Sequence, residues 1–88
     1  MLYKDIEIEI PDGLHPKTSV ELTQLANSFE SQLLLEFGNK MVNAKSIMGM
    51  LTMSVPAGET ITLMANGKDE EEAVKKITEF FNDLTGNN

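Results

Sequence analysis

The chain has 88 residues, which allows one small domain over residues 1–88 and not two. It contains no cysteine and a single histidine, so disulfide frameworks, thiolate zinc sites and multi-histidine metal centres are excluded. Fourteen acidic residues against seven lysines give a formal net charge of −7, which argues against a nucleic-acid binder and against an anchor on anionic membranes.

Residues 2–10 alternate between apolar and polar side chains, which predicts a strand with one solvent-exposed face. The turn-forming residues 11–13 end this strand. Pro16 then stands where the first position of a helix favours proline. Apolar residues follow at helical spacing and predict an amphipathic helix over residues 16–28, with a buried face formed by Val20, Leu22, Leu25, Ala26 and Phe29.

The middle of the chain predicts a hairpin and a short helix. Residues 32–37 alternate weakly, Gly38-Asn39 is a two-residue turn of the primed type, and residues 41–44 form the return strand. Residues 46–53 can form a short helix with Ser46 as its N-cap.

The last third of the chain predicts a strand over residues 60–65 and a final helix to about residue 84, with a frayed end at residues 86–88. Asp69, with Glu72 three residues later, is expected to cap this helix. The order β-α-β-β-α-β-α predicts an α+β open-faced β-sandwich: a four-stranded antiparallel sheet covered on one face by three helices.

The negative charge is unevenly distributed along the chain. Residues 1–12 carry a net −3 and residues 56–88 a net −4, whereas residues 13–55 are neutral. We interpret the acidic ends as solvated faces; the alternative is that the neutral middle is where an anion binds most readily. The start lacks the pattern of a signal peptide and no stretch approaches the roughly 18 apolar residues of a membrane span, so a cytoplasmic protein is expected.

His15 is the single histidine of the chain, and it directly precedes the predicted first helix. The first N–H groups of a helix have no internal partners, so a phosphate on His15 would meet these donors, with Lys17 as a nearby cation. By chemistry alone, a surface loop histidine is the commoner explanation. No nucleotide-binding fingerprint is present and no cofactor or metal is expected, so any phosphate must arrive on a partner protein.

The short helix offers a second candidate site. A negative charge at an N-cap such as Ser46 meets the positive end of the helix dipole and is tolerated there. Apolar residues follow it, and they are either core or a docking surface. We expect Ile47, Met48 and Leu51 to face outward and Met50 and Met53 to face inward.

Two segments resemble HPr, the histidine phosphocarrier of the bacterial phosphoenolpyruvate:sugar phosphotransferase system. Gly13-Leu14-His15 matches the start of the family's histidine motif, and residues 42–49 match its regulatory-serine motif residue for residue. The resemblance covers essentially the whole chain. It implies that His15 accepts a phosphoryl group from Enzyme I and passes it to sugar-specific IIA domains. It also implies that HPr kinase/phosphorylase modifies Ser46, for binding to a catabolite-control transcription regulator.

The histidine motif departs from the family pattern after His15. The family's alanine is Pro16 here, which lacks an N–H, and its arginine is Lys17, which cannot bind phosphate bidentately. Thr18 replaces a proline and restores an N–H, and Ser19 replaces an alanine. We expect Pro16, Lys17 and Thr18 to surround the phosphate.

Three functions remain open from the sequence. The first is a phosphocarrier that docks serially on its partners as a monomer and is not an enzyme with a substrate pocket. The second is an HPr-like regulator that uses Ser46 with a weakened His15 relay. The third is a docking module in which His15 is incidental. Acid-labile phosphate on His15 would indicate the first, and acid-stable phosphate on Ser46 alone the second.

Overall fold

The computed structural model describes residues 1–86, and these residues follow the predicted order of strands and helices. The predicted fraying of residues 87 and 88 lies outside the described residues. The elements are β1 (Leu2–Glu7), α1 (Pro16–Ala26), β2 (Gln32–Phe37), β3 (Lys40–Asn43), α2 (Ile47–Leu51), β4 (Thr60–Asn66) and α3 (Glu70–Gly86).

The four strands form one antiparallel sheet in the order β1-β4-β2-β3. β2 and β3 join through the predicted two-residue turn, since Phe37 pairs with Lys40. Gly38 has a φ of 64° and Asn39 a negative φ, which is the pattern of a type II′ turn. The hairpin prediction is therefore confirmed.

One face of the sheet is buried beneath the helices and the other is open, as predicted. Alternate strand residues and the apolar stripes of the helices form one core that includes Leu33, Leu35, Ile61, Leu63, Leu22, Ala26, Ala73, Ile77 and Phe81. On the open face Tyr3 and Met41 are largely exposed. α3 packs on β1 and β4, α2 packs on β3, and α1 contacts both other helices. The open-faced α+β sandwich is thus confirmed.

The first strand is shorter than predicted. β1 ends at Glu7 because the chain opposite residues 8–10 is a loop and not β4. Of residues 8–10, only Ile8 bonds to that loop: it donates to the Glu59 carbonyl at 2.8 Å and accepts from the Gly58 N–H at 2.7 Å. Ile8 and Ile10 nevertheless stay buried, so the alternation predicted the burial correctly while misplacing the end of the strand.

The helix ends also differ from the predicted bounds. α1 ends at Ala26 and not at residue 28, because the N–H groups of Ser28 and Phe29 bond i→i−3 to the Leu25 and Ala26 carbonyls and so leave the α-helical pattern. α2 covers only residues 47–51 of the predicted 46–53. Its end tightens into i→i−3 bonds from the N–H groups of Thr52 and Met53. α3 extends two residues beyond its predicted end.

The buried face of α1 is more polar than its apolar spacing predicted. Leu22 and Ala26 are fully buried as expected, but Val20, Leu25 and Phe29 are only half-buried. Thr18, Ser19 and Thr23 take the remaining buried positions. The helix lies against both α2 and α3, so a wide arc of its surface is covered and small polar side chains fit where helices approach closely.

Asp69 occupies the predicted N-cap position of α3, since its carbonyl accepts from the Ala73 N–H at 2.9 Å. Its carboxylate, however, accepts from the N–H groups of Glu30 and Ser31, both at 2.9 Å, and from the Ser31 hydroxyl. The predicted pairing with Glu72 is therefore wrong. The carboxylate joins α3 to the loop before β2 because that loop presents two free N–H groups.

Candidate functional site at the start of α1

Residues 13–15 are held against the loop that precedes β4. Gly13 has a φ of 70°, and a Cβ atom there would lie 2.3 Å from the Val55 carbonyl oxygen, so only glycine fits. Leu14 is buried and donates its N–H to the same carbonyl at 2.9 Å. This bridge fixes the backbone one residue before His15.

His15 is the N-cap of α1. Its backbone is extended, with φ −123° and ψ 173°, and its carbonyl accepts the first helical hydrogen bond from the Ser19 N–H at 2.9 Å. The imidazole makes no capping hydrogen bond and is half-buried. A histidine at an N-cap whose ring is uncommitted can present a ring nitrogen to an incoming group.

The backbone donors next to His15 follow from the start of the helix. Pro16 at the first helical position has no N–H, and the first helical bond begins at Ser19, so the N–H groups of Lys17 and Thr18 precede it. Lys17 is exposed. Thr18 is only 5% exposed, which leaves its hydroxyl little access to an anion in solvent. The donors offered here are two N–H groups and one flexible ammonium.

An open depression of about 470 Å³ connects His15 with the end of α2. Asp12, His15 and Pro16 line it together with Leu51 and Ser54. The structure therefore brings the histidine motif and the short helix, 36 residues apart from His15 to Leu51, into one surface region.

Ser46 caps α2 as predicted. Its Oγ accepts from the Gly49 N–H at 3.1 Å and its carbonyl accepts from the Met50 N–H at 2.9 Å. At the other end of the helix Lys40 Nζ donates to the Thr52 carbonyl at 3.0 Å, which satisfies a terminal acceptor. These contacts hold a helix of five residues that is too short to be stable by itself.

The side chains of α2 divide as the sequence predicted. Ile47, Met48 and Leu51 are 38%, 74% and 47% exposed, and these three residues are called the apolar face below. Met50 is fully buried and Met53 is 3% exposed. The predicted division between outward and inward residues is confirmed, and the apolar face adjoins the depression at Leu51.

Two features of the region escaped the sequence analysis. Asp12 lines the depression beside His15, whereas its Pro-Asp-Gly context indicated only a turn. Lys45 donates its Nζ to the Phe29 carbonyl at 2.6 Å, which commits this cation to the loop between α1 and β2. The one sequence signal that Asp12 lies near the site is its closeness to His15 in sequence.

The chain matches known proteins along almost its whole length. A model of the family described as PTS HPr component phosphorylation site matches residues 2–83. The HPr-like protein Crh of Halalkalibacterium halodurans is 39% identical over 80 residues, covering 91% of this chain and 95% of the relative. The phosphocarrier protein HPr of Cupriavidus necator is 43% identical over 77 residues, covering 88% and 86%.

Solved structures of HPr proteins are similar to this chain along almost its whole length. An HPr from Thermoanaerobacter tengcongensis superimposes with a TM-score of 0.90 at 41% identity, covering 98% of this chain and 97% of that one. Dimers of HPr and of Crh are also among the similar structures. No helix within residues 1–86 is long and apolar enough to cross a membrane. Given the family match over residues 2–83 and these relatives, the chain belongs to the HPr family of phosphocarrier proteins.

Proposed function

We propose that this HPr-family chain carries a phosphoryl group on His15, taking it from Enzyme I and giving it to sugar-specific IIA domains in the cytoplasm. The observation that carries the proposal is the uncommitted imidazole of His15 at the N-cap of α1, in a depression that continues to the apolar face. A partner that docks on the apolar face would cover both the imidazole of His15 and the N–H donors at the start of α1.

The transfer is a nucleophilic displacement at phosphorus. A neutral ring nitrogen of His15 forms the bond to phosphorus while the bond between phosphorus and the donor breaks, and the donor keeps that electron pair. The N–H groups of Lys17 and Thr18 and the Lys17 ammonium stabilise the negative oxygens, aided by the positive end of α1. Pro16 contributes no donor. The start of α1 therefore offers the phosphate fewer free N–H groups than a helix that begins without proline.

The apolar face serves as the contact surface for these partners. Exposed Ile47, Met48 and Leu51 lie on the part of the chain without net charge, and methionine adapts to several binding partners. Docking there would exclude water from the depression around His15. A monomer suits such serial docking, and gel filtration with light scattering at working concentration tests it; a stable dimer would contradict this part of the proposal.

Ser46 is the proposed site of HPr kinase/phosphorylase. Its Oγ already faces the Gly49 N–H, so a phosphate is compatible with the helix start, while the added charge lies next to Ile47 and Met48. Binding of the serine-phosphorylated form to a catabolite-control transcription regulator follows from the same resemblance. A second candidate function is a regulator in which the His15 relay is weak. It is favoured by the similarity to Crh and by Pro16 and Lys17, which depart from the family's histidine motif.

The decisive experiment incubates the purified chain with phosphoenolpyruvate and Enzyme I from the same organism. We expect intact mass spectrometry to show one added phosphoryl group that is lost in acid and absent from a His15→Ala variant. A second incubation with HPr kinase/phosphorylase and ATP should give an acid-stable group that a Ser46→Ala variant lacks. Acid-stable phosphate alone would establish the regulator, and no phosphate in either incubation would leave a docking module.

A further inference from the structure

Asp12 is an acidic residue among those that line the depression around His15. It is exposed at the turn before Gly13 and lines the depression together with His15 and Pro16. Neither of the two ion pairs found within residues 1–86 involves it. Its charge is therefore not neutralised by a paired cation, and a phosphoryl group on His15 would share the depression with it.

The physical consequence is repulsion between like charges. A protein-bound phosphoryl group carries about −1.5 to −2 charges at neutral pH, and a carboxylate in the same depression raises its free energy. The N–H groups of Lys17 and Thr18 offset part of this repulsion, whereas Pro16 adds no N–H donor. Lys17 is a flexible, exposed cation that binds phosphate as a point charge.

We propose that Asp12 acts through space to destabilise the phosphorylated form of His15, so that the chain gives up its phosphoryl group readily. The inference rests on the proposed function and concerns the same site. In the onward step the acceptor nitrogen bonds to phosphorus, and the His15 nitrogen keeps the electron pair of the broken bond. Asp12 touches no reacting atom in this step and shifts only the equilibrium.

The test measures the equilibrium between phosphoenolpyruvate plus free chain and pyruvate plus phosphorylated chain, with Enzyme I as catalyst. Asp12→Asn removes the charge and keeps a turn-forming residue. Glu36→Gln is the matched control, since it removes one negative charge from the exposed strand face on the side of the sheet away from the helices. Thermal unfolding of both variants verifies that they are folded.

We expect Asp12→Asn to raise the equilibrium constant for phosphorylation by roughly threefold to tenfold at low salt, the size of a repulsion between two charged groups near a protein surface. The increase should shrink as salt is added, because screening weakens the repulsion. Glu36→Gln should leave the constant unchanged. An unchanged or lowered constant in Asp12→Asn overturns the inference, and a lowered one would indicate that Asp12 instead positions the imidazole. If the unmodified chain and both variants take no phosphate, the proposed function fails and this inference with it.

Discussion

Thr23 carries a buried hydroxyl without a hydrogen-bond partner. The residue is 6% exposed on the covered side of α1, and its Oγ1 is unsatisfied. Such a group loses its hydrogen bonds to water on folding and costs roughly 1–3 kcal/mol. Thr23→Val keeps the shape and removes the hydroxyl, so we expect the free energy of unfolding to rise by about 1 kcal/mol in urea denaturation.

Thr52→Val is the matched control for this prediction. Its hydroxyl is exposed and donates to the Gly49 carbonyl at 2.7 Å, so its removal should bring no gain in stability. A Thr23→Val variant that is less stable than the parent chain would show that the hydroxyl has a partner in solution, such as a bound water.

Individual residues were predictable where a motif or a local rule names them. Local backbone chemistry predicts Ser46 as the N-cap of α2 and Pro16 as the first residue of α1. His15 stands directly before α1. Thr23 and Asp12 were not predictable in this way. The missing partner of Thr23 depends on how the other two helices cover α1. Asp12 is close to His15 in sequence, but that closeness does not show that it lines the depression.

At the scale of elements, Asp69 joins α3 to the loop between α1 and β2. The hydrogen bond from the Ser31 hydroxyl, followed by that from the Glu30 N–H, lowers the pKa of Asp69 from its ordinary 3.8. A carboxyl group whose pKa is lowered by folding stabilises the native state above its unfolded pKa. That stabilisation is lost as the pH falls through the folded value.

We therefore predict that Asp69→Asn lowers the free energy of unfolding at neutral pH. The difference in this free energy between the variant and the unmodified chain should narrow as the pH falls below about 4. Denaturant unfolding at a series of pH values measures this difference. Asp83→Asn, which removes an exposed carboxylate from the same helix, is the control and should show a smaller difference. A difference for Asp69→Asn that stays constant down to pH 2 would mean that the hydrogen bonds, and not the charge, provide the stability.

The elements themselves were predictable because alternation and helical spacing are strong signals in a chain with one buried sheet face. Their ends were less so. β1 stops where β4 no longer lies opposite, and α1 stops where the N–H groups of Ser28 and Phe29 bond i→i−3. The polar buried face of α1 was missed because two neighbouring helices cover it, which the sequence of α1 alone does not reveal.

The apolar face of α2 gives a second prediction at this scale. Met48 is 74% exposed, so Met48→Glu should leave the free energy of unfolding within about 0.5 kcal/mol of the parent chain. If the apolar face is the docking surface, the same change should weaken binding to Enzyme I about tenfold or more, measured by calorimetry. The reason is that a charge would have to be desolvated in the contact.

Met41→Glu is the matched control for Met48→Glu. Met41 is 56% exposed and lies on β3, on the open face of the sheet. The identical substitution there should leave binding to Enzyme I unchanged. Equal losses from both variants would mean that net charge, and not the apolar face, controls the association.

The fold brings the negative charge of the two ends of the sequence together in one part of the molecule. The acidic segments 1–12 and 56–86 form β1, β4 and α3, which lie together because β1 pairs with β4 and α3 packs on both. The neutral middle supplies α1, α2 and the β2–β3 hairpin. The depression lies mainly among neutral elements, with Asp12 as the acidic residue that reaches it from the first segment.

This separation leads to a prediction for a charge placed at Ser46. Ser46→Asp adds a carboxylate at an N-cap, where aspartate is also favoured, so the melting temperature should stay the same or rise. The new charge enters the neutral half beside the apolar face, so transfer of phosphate from Enzyme I to His15 should slow, with the loss mainly in KM. Ser46→Asn, which caps the helix without charge, should behave as the parent chain in both measurements. A Ser46→Asp variant that unfolds at lower temperature while the Asn variant does not would show that charge here acts by melting α2, and would overturn the view that it acts on docking.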